Sequence, residues 1–319
     1  MRAAIITLFG YFNYGQRLQN FAITKVLERK GYDVDTLRFH SPKPRNRYLK
    51  EFTHETMKVR YFSSPSIFKD YDLIIVGSDQ VFNLTLKPTR FLNLIENVKH
   101  IDRSKLIAFA ASFGINDLPD ALKEPCADHF RRYDALSVRE NRAAEIVEEL
   151  IGEKPLTILD PVFFVVDDWE CLARQPAQEK DYLFNYFVKG VNSAPGSLDL
   201  SAMLVARYNL EEVPIRDMPV PDFLGWLKHA RLVLTNSYHG ACFSIIFRVP
   251  FIYVENRAHL SSRIGTLSSK FSLQAQIIED GSSDILAQEI SIDVDYSDSQ
   301  KIIAQEREKA MSFLRRAGV

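Results

Sequence analysis

Residues 235–240 read Thr-Asn-Ser-Tyr-His-Gly, a polar segment that directly follows the apolar run at 231–234. A strand should pass into a helix here, and the first N–H groups of a helix, with the helix dipole behind them, attract anions. Ser237 can cap the helix, Gly240 permits close backbone approach, and the histidine at 239 can exchange protons near neutral pH. Taken alone, His239 could equally be a hydrogen-bonded core residue. Its polar neighbours favour chemistry on a negatively charged substrate.

Two arginines are candidates for the same kind of chemistry. Arg139 follows the apolar run at 135–138, and the carboxyl end of a strand is where ligands bind in α/β sheets. Its planar guanidinium suits a carboxylate or a phosphate. The structural alternative is an ion pair with Glu140 or Glu145, which at the surface would contribute only ~0–1 kcal/mol. Arg263 alone would be interpreted as a solvated surface charge.

Polar residues also follow the predicted strand at 71–76. Asp79 and Gln80 come at its end, where Asp79 could orient a sugar hydroxyl or cap a helix. Asn13 and Tyr14 follow the first apolar run, although Asn and Gly next to each other are ordinary turn chemistry. Polar residues at several strand ends indicate a site better than any one of them does.

Predicted strands and helices alternate along the chain, which is typical of α/β folds with parallel sheets. The connection at 40–69 is basic and irregular. Strands are predicted at 3–9, 34–39, 71–76, 106–111, 135–138, 156–159, 182–188, 231–234 and 251–254, and helices at 18–30, 141–150, 197–208, 221–230 and 297–316.

The chain length and a polar linker near 170–180 predict two Rossmann-like domains of class α/β, with parallel sheets that face each other across a cleft. We expect an N-terminal domain at 1–170 and a C-terminal domain at 171–296. The amphipathic helix at 297–319 is expected to pack back on the N-terminal domain.

Composition excludes several functions. A net charge of −1 over 319 residues gives no basic surface for nucleic acid. The three cysteines lack metal-ligand spacing, so we expect no metal and a reducing compartment. No apolar run is long enough to span a membrane, and we expect a cytoplasmic protein. The chain has no dinucleotide fingerprint, P-loop, HExxH or GxSxG motif.

Read in order, seven short segments resemble the signatures of the polysaccharide pyruvyl transferase family. One segment alone would be weak evidence, but seven in the family's order are specific. Two residues depart from the family pattern: Phe82 stands where tryptophan is usual, and Ser261 where asparagine is usual. The segments are NYGQRLQ at 13–19, YDLIIVGSDQVF at 71–82, AFAASFG at 108–114, SVRE at 137–140, LDP at 159–161 with WE at 169–170, TNSYHGACFSIIF at 235–247, and SRI at 262–264.

The resemblance implies a fold like that of the two-domain GT-B glycosyltransferases. It implies transfer of the pyruvyl group of phosphoenolpyruvate to hydroxyls of a sugar in an exopolysaccharide precursor, which forms a ketal and releases phosphate. It implies no metal and no cofactor apart from the donor substrate. The residue roles that it implies are catalysis by His239 and Arg139, donor binding by Asn236, Ser237, Gly240 and Arg263, and acceptor binding on the N-terminal side by Asn13, Tyr14, Asp79 and Gln80.

Two alternatives stay open. One is a GT-B glycosyltransferase that uses a sugar nucleotide, although no pocket for ribose and base can be identified in the sequence. The other is a non-catalytic glycan-binding relative. The expected partners are phosphoenolpyruvate and a saccharide or lipid-linked saccharide, with no nucleic acid. A lipid-linked acceptor would bring the protein to the inner face of the membrane. The sequence predicts no oligomeric state.

Overall fold

The computed structural model describes residues 1–38, 46–83, 96–188, 197–255, 262–279 and 292–319. The chain divides into two compact units. Unit 1 comprises Met1–Val165 and Ala304–Val319, and unit 2 comprises Val166–Ile303. Part of the connection predicted at 40–69 lies outside the described residues, and so does Ser261.

Unit 1 is built on a seven-stranded parallel sheet with the order β3-β2-β1-β4-β5-β6-β7. The central strands are apolar and buried, as expected where both faces of a parallel sheet are covered. The order reverses between β1 and β4, so this is the topological switch point, where ligands bind in such sheets. The strands are β1 Arg2–Ile6, β2 Asp33–Arg38, β3 Lys58–Tyr61, β4 Leu73–Asp79, β5 Lys105–Ala111, β6 Ala135–Val138 and β7 Leu156–Thr157.

Unit 2 contains a five-stranded parallel sheet with the order β12-β11-β10-β8-β9. Its switch point lies between β8 and β10, the first and third strands of the unit. The strands are β8 Tyr182–Tyr186, β9 Glu211–Pro214, β10 Leu232–Thr235, β11 Phe251–Glu255 and β12 Ile277–Glu279.

Ten α-helices occur in the described part of the chain. They are α1 Tyr14–Glu28, α2 Arg47–Thr56, α3 Asp120–Phe130, α4 Asn141–Ile151, α5 Val166–Leu172, α6 Ser197–Tyr208, α7 Val220–Lys228, α8 Tyr238–Phe247, α9 Ser262–Phe271 and α10 Ser299–Arg316.

The last residues of the chain pack on unit 1. The Phe313 ring stacks on Phe109 of β5 with the ring centroids 6.3 Å apart. Lys309 donates to the Thr157 carbonyl at 2.6 Å, and Lys30 donates to the Val319 carbonyl at 3.0 Å. These contacts attach the end of α10 to the sheet of unit 1 by both apolar and polar groups.

Phe82, the departure from the family's tryptophan, is a core residue. Its ring is fully buried and packs against Phe113, Phe130, His129 and Tyr133, with centroid separations from 5.0 to 6.3 Å. Such aromatic pairs stabilise a core beyond their buried area. The phenylalanine therefore changes the packing of unit 1, and its ring has no exposed surface for a ligand.

Candidate functional site

Helix α8 begins where the sequence predicts it. Ser237 is the N-cap, and its hydroxyl accepts the N–H of Gly240 at 3.3 Å. Capping fixes the first turn, whose N–H groups point out of the helix end. Trp169, also part of a family signature, is fully buried against Phe243 of the same helix. The helix is thus held by packing as well as by its cap.

The loop before α8 connects the two strands that flank the switch point of unit 2. The Thr235 hydroxyl donates to the Tyr186 carbonyl at 2.5 Å and accepts the N–H of Ser237 at 2.9 Å. The side-chain oxygen of Asn236 accepts the N–H of Val188 at 2.8 Å. Thr235 and Asn236 therefore hold the carboxyl ends of β8 and β10 together. The loop is rigid where a ligand of such a sheet binds.

Three further groups surround the start of α8. The His239 side chain is 6% exposed and lies edge-on to the Tyr238 ring, with centroids 5.5 Å apart. The Arg263 guanidinium of α9 lies 5.7 Å from the centroid of the same ring. Glu255 is buried at the carboxyl end of β11, and its charge and that of Arg263 both act on the buried Tyr253. The helix end thus lies near a histidine, an arginine and a carboxylate.

Gly240 is needed where it stands, because a Cβ there would lie 2.5 Å from the Thr235 hydroxyl oxygen and 3.0 Å from the Tyr186 ring. We expect Gly240→Ala to lower the free energy of unfolding by about 1–3 kcal/mol, the usual cost of overpacking, and to weaken ligand binding at α8. Gly265→Ala in α9 is the matched control, since nothing lies within 4 Å of its Cβ position. The control should be neutral or stabilise by up to about 1 kcal/mol. Equal melting temperatures for the two variants would contradict the close fit.

At the carboxyl edge of unit 1, Arg139 lies between two acidic residues. Its guanidinium, with no exposed surface, pairs with Asp160 and, at 3.3 Å, with Asp79. The predicted partners Glu140 and Glu145 are wrong, because Asp160 comes from the next stretch of chain at the same sheet edge. A ligand would contact Arg139 only if these ion pairs opened. Its placement therefore fits a positioning residue that holds Asp79.

Glu140 has a different task. Its carboxylate accepts the Ser112 hydroxyl and the N–H groups of Phe113 and Gly114 at 2.9 to 3.1 Å. Three donors satisfy a buried charge that would otherwise be costly. Glu140 therefore fixes the loop that follows β5.

The switch point of unit 1 is held by a chain of polar contacts. Gln19 of α1 accepts the N–H of Ser78 at 3.1 Å and donates to the Thr7 hydroxyl at 2.8 Å. Thr7 in turn donates to the Ser78 carbonyl at 3.1 Å. Asp79, the next residue, has a φ of +63°, a left-handed conformation that is costly for a side-chain-bearing residue. Such local strain is typical of functional sites, and this network maintains it.

The other predicted residues of unit 1 are partly engaged in the fold. Asn13 caps α1 by accepting the N–H of Gln16 at 3.4 Å. The buried Tyr14 hydroxyl accepts the side-chain amide of Asn46 at 3.2 Å. Gln80 is half-buried beside Gly114, where a Cβ would meet its side-chain oxygen at 2.2 Å. The structure places both pairs of predicted residues at the ends of β1 and β4.

Sequence reasoning missed the roles of Asp160, Glu140, Gln19 and Glu255. Asp160 and Glu255 carry a detectable signal, because each is an acidic residue directly after an apolar run. Gln19 lies inside a helix and carries none. The described residues contain no group of three His, Cys, Asp or Glu side chains that could hold a metal. No helix among them is both long and apolar enough to cross a membrane.

Solved structures with similar folds are sugar-nucleotide enzymes. A UDP-N-acetylglucosamine 2-epimerase from Rickettsia bellii has a TM-score of 0.61 and 10% identity, covering 99% of this chain and 96% of its own. The Methanocaldococcus jannaschii enzyme in complex with UDP-GlcNAc and UDP has a TM-score of 0.58 and 13% identity, covering 93% and 94%. At this identity the likeness shows the fold alone, which is the GT-B fold, with a Rossmann-like parallel sheet in each unit.

Sequence comparison identifies the family. No curated protein is significantly similar to the chain. The model of the polysaccharide pyruvyl transferase family matches residues 13–258, well over half of the chain. The match includes the cap of α1, the ion pairs of Arg139 and the start of α8. The chain therefore belongs to the polysaccharide pyruvyl transferase family.

Proposed function

We propose that this transferase moves the pyruvyl group of phosphoenolpyruvate onto two hydroxyls of a saccharide, forming a ketal and releasing phosphate. The observation that carries the proposal is the placement of His239 in the capped first turn of α8, at the switch point of unit 2. The family match supports the reaction class. A cell-surface polysaccharide precursor, free or lipid-linked, is the proposed acceptor.

The start of α8 suits a small trianionic donor. The helix end offers N–H groups and a positive dipole to a phosphate or carboxylate, and Arg263 adds a full charge with a bidentate fork. Ser237 and Asn236 are occupied in shaping the loop. We therefore assign donor contact to the backbone of the first turn and to Arg263, and positioning to Ser237 and Asn236.

The reaction requires proton transfers that a histidine can perform. A proton is added to C3 of the enol, which becomes a methyl group, while a sugar hydroxyl loses its proton and its oxygen bonds to C2. A second hydroxyl then bonds to C2 as the C2–O bond to phosphate breaks, and its proton leaves with the phosphate. His239 is proposed to carry a proton in this sequence, an effect worth about 10²–10⁴-fold in rate. The helix end stabilises the charge on the departing phosphate.

Acceptor binding is proposed for unit 1. Asp79 is held by Arg139 and stands at the switch point, where a carboxylate can accept hydrogen bonds from sugar hydroxyls. Gln80 adds an amide, and Asn13 lies at the end of the neighbouring strand. Tyr14 is proposed to contact the acceptor through its ring edge, because its hydroxyl already accepts from Asn46.

A sugar nucleotide is the alternative donor. The observation that favours it is the fold, which is shared with enzymes whose structures were solved with UDP-sugars. In that case α8 would bind a diphosphate, and the first ligand to test is UDP-N-acetylglucosamine.

Calorimetric titration separates these two donors. We expect phosphoenolpyruvate to bind and to raise the melting temperature, with a stabilisation of about 2.7 kcal/mol at a hundredfold excess over Kd. UDP-N-acetylglucosamine should bind far more weakly. Arg263→Gln should weaken phosphoenolpyruvate binding, whereas Arg231→Gln, an exposed arginine of the same unit, should not. Tight binding of the sugar nucleotide without binding of phosphoenolpyruvate would replace the proposal by its alternative.

A further inference from the structure

A buried arginine near the switch point of unit 1 has no role in the site described so far. Arg17, in the second turn of α1, has no exposed surface, and one guanidinium nitrogen donates to the Leu8 carbonyl at 2.7 Å. Its Nε and its other terminal nitrogen have no hydrogen-bond partner among the described residues. Buried donors are nearly always paired, because leaving one unpaired costs free energy. The unmet donors of a buried cation indicate a missing anion.

A second arginine shares the same aromatic ring. The Arg17 guanidinium carbon lies 3.7 Å from the centroid of Phe9, and that of Arg38 lies 3.4 Å from it. Two groups this close to one centroid must occupy opposite faces of the ring. Arg38 also donates to the Phe9 carbonyl at 3.3 Å. Two positive charges are therefore fixed on either side of the loop that follows β1.

Little negative charge compensates this pair. Among the described residues, the carboxylate whose charge favours Arg17 is that of Asp79, which is already paired with Arg139. Burial, and then the charge of Arg38, lower the pKa of Arg17 to about 9. A doubly charged anion would complement both guanidinium groups, whose planar forks match phosphate oxygens.

Two exposed aromatic rings lie at the same edge of the sheet. Phe12 follows in the same loop and is 52% exposed, and Tyr61 at the end of β3 is 44% exposed. Tyr61 contacts Tyr11, the residue that follows Gly10 in this loop. Exposed rings beside a cationic group suit a ligand that has both a sugar face and a charge.

We propose that Arg17 and Arg38 form a phosphate-binding subsite of unit 1, which selects an acceptor saccharide that carries a phosphate group. The inference rests on the proposed function, since it names the class of that acceptor. Arg17 is covered by the residues at 8–9, so the ligand enters when this loop shifts. The Phe12 ring lies where a Gly10 side chain would be, and its exposure lets it move with the loop.

The test uses the intact chain with phosphoenolpyruvate at saturation, so that the α8 site is occupied. Titration by calorimetry should show glucose 1-phosphate binding at least about tenfold more tightly than methyl glucoside or glucuronic acid. Inorganic phosphate and dodecyl phosphate form two further arms, which separate a free phosphate or a lipid phosphate from a sugar phosphate. Equal affinities for glucose 1-phosphate and methyl glucoside in the wild type would overturn the proposal without any variant.

Variants locate the subsite. Arg17→Gln should weaken glucose 1-phosphate binding by about 10-fold to 100-fold, the size expected for a lost charge-assisted contact. Arg17→Lys keeps the charge without the fork and should be intermediate, which covers the case in which the glutamine variant does not fold. The control is Arg131→Gln, whose exposed guanidinium pairs with Asp128. Unchanged affinity in a folded Arg17→Lys variant would place the phosphate elsewhere.

Hydrogen exchange separates this inference from the proposed function. Glucose 1-phosphate should change the exchange of amides at 8–13, and phosphoenolpyruvate should change that of amides at 237–241. If only the second change occurs, the subsite is wrong and the donor proposal stands. If only the first occurs, the subsite binds phosphate but the donor proposal fails.

Discussion

The substitution His239→Ala should reduce pyruvyl transfer by about 10²–10⁴-fold while the fold is retained. The histidine lies in the first turn of α8, and general acid–base catalysis by one side chain contributes an effect of this size. Activity is measured as phosphate released from phosphoenolpyruvate in the presence of the acceptor. His239→Gln should lose as much, because an amide can hydrogen-bond but cannot carry the proton.

The control for this prediction is His229→Ala, which removes an exposed histidine from the end of α7 in the same unit. It should keep full activity. Phosphoenolpyruvate binding by His239→Ala should weaken far less than turnover falls, which separates catalysis from binding. Full turnover by the alanine variant would eliminate His239 as the proton carrier, and an equal loss in both variants would indicate a structural effect.

The largest effect on stability is expected at Arg139. Arg139→Met leaves Asp160 buried without its cation and removes one partner of Asp79, so the free energy of unfolding of unit 1 should fall by about 3–5 kcal/mol. Both tryptophans, Trp169 and Trp226, belong to unit 2, so their fluorescence does not report on unit 1. Hydrogen exchange of the β4 and β5 amides in urea is the appropriate measurement.

Two comparisons make the cause identifiable. Arg142→Met removes a more exposed arginine that pairs with Glu145 and Glu149, and it should cost no more than about 1 kcal/mol. Adding Asp160→Asn to Arg139→Met should cost less than the sum of the single changes, because the uncompensated charge is gone. Strict additivity, or equal losses for Arg139 and Arg142, would show that the buried ion pair is not what stabilises this edge.

Residues that follow apolar strands were the most predictable part of the protein. Strand β6 and helix α6 have the predicted bounds, and strand β10 lies within one residue of them. His239 and Asp79 consequently lie at the carboxyl ends of parallel strands, as the alternation of strands and helices predicted. An apolar run with polar residues after it reports both the strand and the edge of the sheet.

Other elements lack that signal. Strands β3 and β9 read KVRY and EEVP and lie at sheet edges, so they are exposed and carry no apolar run. Helix α3 contains Pro125, which breaks the helical pattern. The partners of Arg139 come from positions 21 and 60 residues away, which local spacing cannot reveal.

The central claim is that the first turn of α8 binds phosphoenolpyruvate. A crystal structure with phosphoenolpyruvate, compared with one grown with UDP-N-acetylglucosamine, tests it most directly. The account predicts a phosphate or carboxylate of the donor within hydrogen-bond distance of the N–H groups of the α8 first turn and of Arg263, with C3 next to the His239 ring. Phosphoenolpyruvate bound away from α8, or a UDP diphosphate in its place, would contradict the account.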